Sequence, residues 1–463
     1  MVRPSVLRER WSVAWVMRVG VPLFAAGLLS SGVLVGTSVS AATAVVPARG
    51  GAVARVASGT WLHMLGGTGV DAGAAIAVDH LGDVYVTGIT QGDLSGAPEV
   101  NPGPGSYDIF VAKYSGTGSR IWVHEYGSST YDYAKGIAVD SAGNAYVTGY
   151  TDGQLPGGER AVGFADAFVV KYSTTGSRLW VHQFGAANSA TVGNAIAVDG
   201  SGDAFVTGST NGRLPGQPES NAGAYDAFIA KYSAGGTRIW VHRLGGPYSD
   251  YGNGIALDNA DNAYVAGTTE GMIPGQPKAN AGDGSDLFAA KYSTTGTRLW
   301  TQQVGVRGDD TGAGIAVDSA GNAYVTGDTQ GRLPGSPQTD PGGAEAFVVK
   351  YSEKGSRIWV QQLAASGAGG IAVDGAGNVY LTGEGGGQQP GEPPIIQGII
   401  YGFVAKYSTT GTRLFVHQLR GAAAAAIASD NAGNTFVTGS GTHLAGALDP
   451  PAGESDIFIA RNL

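Results

Sequence analysis

One phrase recurs seven times along this chain. It reads AAIAVDHLGDVYVTG from Ala74, KGIAVDSAGNAYVTG from Lys135, NAIAVDGSGDAFVTG from Asn194 and NGIALDNADNAYVAG from Asn253. It returns as AGIAVDSAGNAYVTG from Ala313, GGIAVDGAGNVYLTG from Gly369 and AAIASDNAGNTFVTG from Ala425. A repeat of 56 to 61 residues is too long for a helical-repeat unit and suits a small sheet with one long loop.

Each unit contains four strand candidates, A to D, exemplified by GIAVD, AYVTG, DAFVVKYS and RLWVHQF. Asp-x-x-Gly-Asn separates A from B, and Ser-Thr-Thr-Gly-Ser separates C from D. In both, the Gly supplies the positive φ that follows a type I turn. The strands are therefore sequential and antiparallel. The seventh unit stops after DIFIARNL, without a strand D, whereas Gly59 to Gly66 near the other end matches the strand D sequence RIWVHEYG from Arg120. The pattern predicts an all-β fold, a seven-bladed β-propeller of four-stranded antiparallel blades over 59–463, closed by an N-terminal strand that completes the last blade.

The phrase IAVDxxGNxYVTG followed by DAFVxKYSxxGxxxW resembles the bacterial family of seven-bladed β-propeller repeats, the SBBP repeats. The resemblance covers about residues 59 to 463. It implies a secreted or surface protein, with binding or adhesion as its role and no assigned chemistry.

The first 58 residues differ in character. Arg3, Arg8, Arg10 and Arg18 precede an apolar run from Val19 to about Val39, and small residues follow to Ala44. This is the pattern of a secretion signal over 1–44, with a linker over 45–58; an uncleaved anchor is the alternative, because the run is nearly long enough to span a bilayer. Both place the remainder outside the cytoplasm, and only the anchor gives a membrane contact. The remainder carries 22 basic and 36 acidic residues, a net charge of −14. So acidic a body does not suit nucleic acid. Cysteine is absent, which excludes disulfides, thiolate metal sites and a cysteine nucleophile.

Most of the memorable residues read as structural. Trp122, Trp180, Trp240, Trp300 and Trp359 recur on strand D and fill the space between blades, with sugar stacking as the minor alternative. His63, His124, His182, His242 and His417 stand two positions after the strand D aromatic, but Gln302 and Gln361 replace them elsewhere. That exchange fits hydrogen bonding better than a metal. Asp79, Asp140, Asp199, Asp258, Asp318, Asp374 and Asp430 cap the A–B turns.

The A–B and C–D turns emerge on one face of the disc, and the B–C loops and D–A crossings on the other. Variable chemistry sits on that second face, where Thr-x-Gly-x-(Leu/Ile)-Pro-Gly repeats from Thr151, Thr210, Thr269 and Thr329. In the crossings, Asp71, Asp132, Asp250 and Asp310 occupy one repeat position. They either cap their own crossings or form a broken acidic ring that holds a cation such as Ca2+. The expected function is a non-catalytic scaffold, a monomeric ring binding a glycan or protein through the loop face with a cation's assistance. The alternatives are a carboxylate-based lyase or hydrolase using Glu159, Glu219, Glu270 or Asp340, and a purely structural surface protein.

Overall fold

The structure, a computed structural model, describes residues 59–462 apart from 95, 98–105, 219–222, 277–283, 337–343, 366, 386–399, 443, 445–446 and 448–454. The expected export segment and linker lie outside the described residues. The chain opens on β1 (Trp61–Leu65). Blade 1 is β2 (Ala72–Val78), β3 (Val84–Thr90), β4 (Asp108–Tyr114) and β5 (Arg120–Tyr126). Blade 2 is β6 (Asp132–Val139), β7 (Ala145–Thr151), β8 (Asp166–Tyr172) and β9 (Arg178–Phe184). Blade 3 is β10 (Thr191–Val198), β11 (Ala204–Thr210), β12 (Asp226–Tyr232) and β13 (Arg238–Leu244). Blade 4 is β14 (Asp250–Leu257), β15 (Ala263–Thr269), β16 (Asp286–Tyr292) and β17 (Arg298–Val304). Blade 5 is β18 (Asp310–Val317), β19 (Ala323–Thr329), β20 (Glu345–Tyr351) and β21 (Arg357–Leu363). Blade 6 is β22 (Gly367–Val373), β23 (Val379–Glu384), β24 (Tyr401–Tyr407) and β25 (Arg413–Arg420). Blade 7 takes β26 (Ala422–Ser429), β27 (Thr435–Gly441) and β28 (Asp456–Arg461), then β1.

The ring closes as the repeat arithmetic requires. β1 runs antiparallel to β28, with Trp61 opposite Arg461 and Leu65 opposite Ile457. The inner strands β2, β6, β10, β14, β18, β22 and β26 each flank the next, and β26 returns to β2. Each inner strand carries a register shift, such as Ala134/Gly136 in β6, that bends it around the axis.

The turns are as expected. In the first A–B turn Gly82 N donates to Asp79 O at 3.0 Å, Asp79 Oδ1 accepts from Leu81 N and Asp83 N at 2.9 Å each, and Gly82 has a φ of 83°. Blade 4 lacks this glycine, so Asp261 takes the left-handed conformation at 58°.

The hydrophobic core lies between blades. One cluster joins Tyr85, Ile109 and Val111 of blade 1 to Ile137, Val147, Phe168 and Val170 of blade 2. The strand D tryptophans pack beside it and staple the junctions. Trp122 Nε1 donates to Thr174 O at 3.1 Å, Trp180 to Ala234 O at 3.2 Å, and Trp300 to Glu353 O at 3.0 Å, each in the following blade. Trp61 repeats this bond to Gly116 O across the closure. The indoles from Trp122 to Trp359 are only partly buried, because strand D is the outer lip of each blade. A second staple lies on the turn face, where Tyr85 Oη donates to Gly143 O at 2.9 Å and Tyr146 Oη to Gly202 O at 2.8 Å.

Candidate functional site

The crossing carboxylates Asp71, Asp132, Asp250 and Asp310 are fully buried, with no side-chain surface at the channel mouth. Each closes its own crossing through an amide four residues back. Asp71 Oδ2 accepts from Gly67 N at 2.7 Å, Asp132 Oδ2 from Ser128 N at 2.6 Å, Asp250 Oδ2 from Gly246 N at 2.7 Å and Asp310 Oδ2 from Val306 N at 2.5 Å. The hydrogen bonds are those of the capping alternative. Burial raises all four pKa values, and pushes Asp250 and Asp310 up to about 6. Among the described residues no group of three or more His, Asp or Glu side chains is arranged to hold a metal ion.

The crossing acids have company from strand C. The acid that opens the preceding strand C lies against the same glycine of the crossing: a Cβ on Gly127 would fall 2.0 Å from Asp108 Oδ1 and 2.9 Å from Asp132 Oδ2. Asp226 and Asp250 flank Gly245 likewise, and Asp286 and Asp310 flank Gly305. Glycine is required there because two carboxylates occupy the space of a side chain.

The strand D histidines sit on the outer lip. His124 lies 5.3 Å from Trp122 and stacks on Tyr172 of blade 2 at 6.2 Å, with burial lowering its pKa. His182 meets one of the loop carboxylates: Glu159 Oε1 lies 2.5 Å from its Nδ1 and Oε2 accepts from Gln183 N at 2.7 Å. Burial would raise the Glu159 pKa, and these hydrogen bonds outweigh it and hold the carboxyl low. This contact folds the B–C loop onto the lip. Glu270 lies in the B–C loop of blade 4, while Glu219 and Asp340 lie outside the described residues. A rim cleft of about 380 Å³ between blades 3 and 4 is lined by His242, Arg243, Pro274, Tyr292 and Arg298.

One feature of the loop face that departs from the repeat is aromatic. Tyr107 ends the B–C loop of blade 1, Tyr131 lies in the crossing, Tyr133 on β6 and Tyr150 on β7. Asp132 N donates to Tyr107 O at 2.8 Å and Asp152 N to Tyr131 O at 3.0 Å, which brings the three segments together. Tyr133 and Tyr150 stack at 4.8 Å and 15°, and Tyr107 lies 6.1 Å from Tyr131 and 5.7 Å from Tyr133. Tyr131 is 46% exposed and the other three are half-buried. Lys135 Nζ approaches the Tyr150 ring at 6.0 Å. Burial pushes the Tyr133 phenol up to about 12, so it remains a hydrogen-bond donor at any physiological pH. Sequence reasoning passed over these residues because it followed positions that repeat. The signal was present in the exceptions: the Tyr133 position is Ala72, Val192, Thr311 or Ala423 in four other blades and an aromatic again only as Tyr251 of blade 4, and no other blade has an aromatic at the Tyr150 position.

The chain is distantly similar to known proteins. The chain is 21% identical over 429 residues to an uncharacterized WD repeat-containing protein of Acanthamoeba polyphaga mimivirus, covering 70% of this chain and 31% of that protein. It is 25% identical over 173 residues to the regulatory protein FlaEY of Caulobacter vibrioides, covering 35% and 18%. The chain thus spans less than a third of the length of these curated relatives. Among solved structures the Dos1 propeller aligns over 87% of this chain and 94% of its own, at 8% identity and a TM-score of 0.44. The family model described as a beta-propeller repeat, SBBP, matches residues 121–156, 179–215, 239–273, 299–334 and 358–388. With five matched repeats and seven blades of one design, the chain belongs to the SBBP β-propeller repeat family.

Proposed function

We propose that this protein is an exported, non-catalytic β-propeller, secreted or held at the cell surface, that binds a glycan on its loop face through Tyr107, Tyr131, Tyr133 and Tyr150. The single observation that carries the reading is the gathering of four rings at one blade junction; the junction of blades 3 and 4 repeats two of the positions, as the stacked pair Tyr225 and Tyr251, but has Ser249 and Thr268 in place of Tyr131 and Tyr150. Tyrosine offers a large, rigid, amphipathic face at low entropic cost. Prior stacking reduces that cost further, since the rings are already held. Lys135 and Asp152, which act on Tyr150 from the cluster's edge, supply a cation and an acceptor for hydroxyl groups. Export is supported by the basic start, the apolar run and the small residues before Ala44.

The test is a glycan array probed with residues 59–463, followed by titration of the best ligand against Tyr131→Ala and Tyr133→Ala. Truncating a central aromatic contact costs about 2 kcal/mol, a loss of roughly 30-fold in affinity. Unchanged affinity in both variants, or an array without a ligand, would overturn the reading.

A further inference from the structure

The B–C loops of blades 2, 4 and 5 are latched to their blades by one amide side chain each. Gln183 Oε1 accepts from Leu155 N at 3.0 Å, while its Nε2 donates to Gly153 O at 2.7 Å and to Asp166 Oδ2 at 3.2 Å. Gln303 makes the same three bonds to Ile273 N, Gly271 O and Asp286, at 3.0, 2.7 and 2.7 Å. Gln362 repeats them with Leu333 N, Gly331 O and Glu345, at 2.9, 3.0 and 2.6 Å. An amide fits because it offers an acceptor to the loop N–H and two N–H donors to a carbonyl and a carboxylate. Blade 3 solves the problem with a cation instead, Arg243 donating to Asp226 at 2.7 Å.

Blade 1 keeps the acceptor half of the latch and lacks the donor half. Glu125 stands opposite Phe110 just as Gln183 stands opposite Phe168, and its Oε1 accepts from Leu94 N at 2.5 Å. The acid in the place of Asp166 is Asp108, on which the Glu125 charge bears, and each is only 5% exposed. An ionised Glu125 has no N–H or O–H to offer Asp108, whose Oδ1 is buried without a hydrogen-bond partner. The charges that bear on the two are all carboxylates: Asp132 of β6 on Asp108, and Asp93 of the loop with Asp71 of the crossing on Glu125. Arg178 of blade 2 is engaged over the Tyr126 ring at 4.5 Å. Two anions cannot share such a site, whereas an acid and its conjugate base can, joined by one O–H···O bond.

We propose that Asp108 and Glu125 hold one proton between them in place of the glutamine amide, so that the chain at Leu94 is latched to the blade while the proton is present and loosened when it is lost to solvent. Burial pushes each carboxyl up to about 7, with Asp132 and Glu125 adding to the effect on Asp108. The switch therefore works near neutrality. Asp108 directly follows Tyr107, so the latch also steadies one ring of the tyrosine cluster; that consequence alone rests on the function proposed above.

The experiment is hydrogen exchange on the full chain and on its Glu125→Gln and Asp108→Asn variants, following the peptide that contains Leu94 from pH 6 to pH 8. After correction for intrinsic exchange, the wild-type peptide should lose about tenfold in protection across this interval. Glu125→Gln restores the amide of the other blades and should hold its protection constant. Asp108→Asn offers the missing N–H from the opposite side and should do the same. A pH-independent wild-type peptide, or an equal pH response in all three proteins, would overturn the proposal. Glycan affinity is measured separately, on Tyr131→Ala, so failure of the tyrosine reading leaves the latch untouched and is told apart from its failure.

Discussion

The A–B turns on one face and the D–A crossings on the other are both closed by buried aspartates, and they hold them in opposite electrostatic states. Asp140 accepts from Ala142 N, Asn144 N and Tyr146 Oη, with Lys171 at 3.5 Å; burial would raise its pKa, and these partners together push it below the ordinary value. Asp258, Asp318 and Asp374 are held low in the same way, each beside a lysine from its own strand C. Asp132 has Ser128 N and Oγ as donors, yet burial outweighs these hydrogen bonds and its pKa rises. Burial is common to both sets. The counter-charge decides the outcome, and the turn face keeps it while the loop face, Arg243 apart, replaces it with glutamine or with another acid.

The comparison breaks first at Asp140. Asp140→Ala removes the partner of a buried Lys171 whose amine also lies 4.6 Å from the Tyr146 ring. Leaving one member of a buried ion pair uncompensated costs about 3–5 kcal/mol. Denaturant unfolding of residues 59–463 should show a loss of this size, and a loss under about 1 kcal/mol would mean that the lysine does not depend on the turn.

A smaller effect separates the two faces by pH. The turn aspartates have folded pKa values below the ordinary 3.8, so their stabilisation is present above about pH 4 and disappears as pH falls through the folded value. Asp250 and Asp310 are raised to about 6, so their contribution is complete below about pH 4 and disappears as pH rises through 6. His124, with its lowered pKa, works against this below pH 6.5, one imidazole against several carboxyls. Thermal melts should peak near pH 4, with stability at pH 8 lower by about 2 kcal/mol or more, given roughly 1.4 kcal/mol per pKa unit per group. A maximum at pH 7 to 8 would show that the loop-face acids are ionised without cost.

The two faces also differed in how much of them could be read from the sequence. The turn aspartates were legible because Asp-x-x-Gly-Asn carries its donors within five residues. The ring, its blade count and its closure were legible because they follow from counting strands. The loop face was not, since its contacts join segments that only the ring brings together. Asp108 and Asp132 are 24 residues apart and meet across Gly127, and Tyr107 reaches Tyr133 from the neighbouring blade. On the turn face Lys113 of β4 likewise finds its partner outside its own strand, in Asp83 of the A–B turn at 3.0 Å.

The smallest expected effect is the one that separates capping from cation binding in the crossings. Calcium takes six to eight oxygen ligands. At Asp71, Asp132, Asp250 and Asp310, one carboxylate oxygen already accepts a crossing amide at 2.5–2.7 Å. A divalent ion would have to displace those bonds and open fully buried groups. Adding millimolar Ca2+ to residues 59–463 should therefore leave the melting temperature unchanged at pH 7. A rise that disappears in Asp132→Asn and Asp250→Asn would restore the acidic ring, because the amide variants keep the capping oxygen and lose only the charge. A rise that survives both substitutions would place the ion elsewhere and leave the crossings as caps.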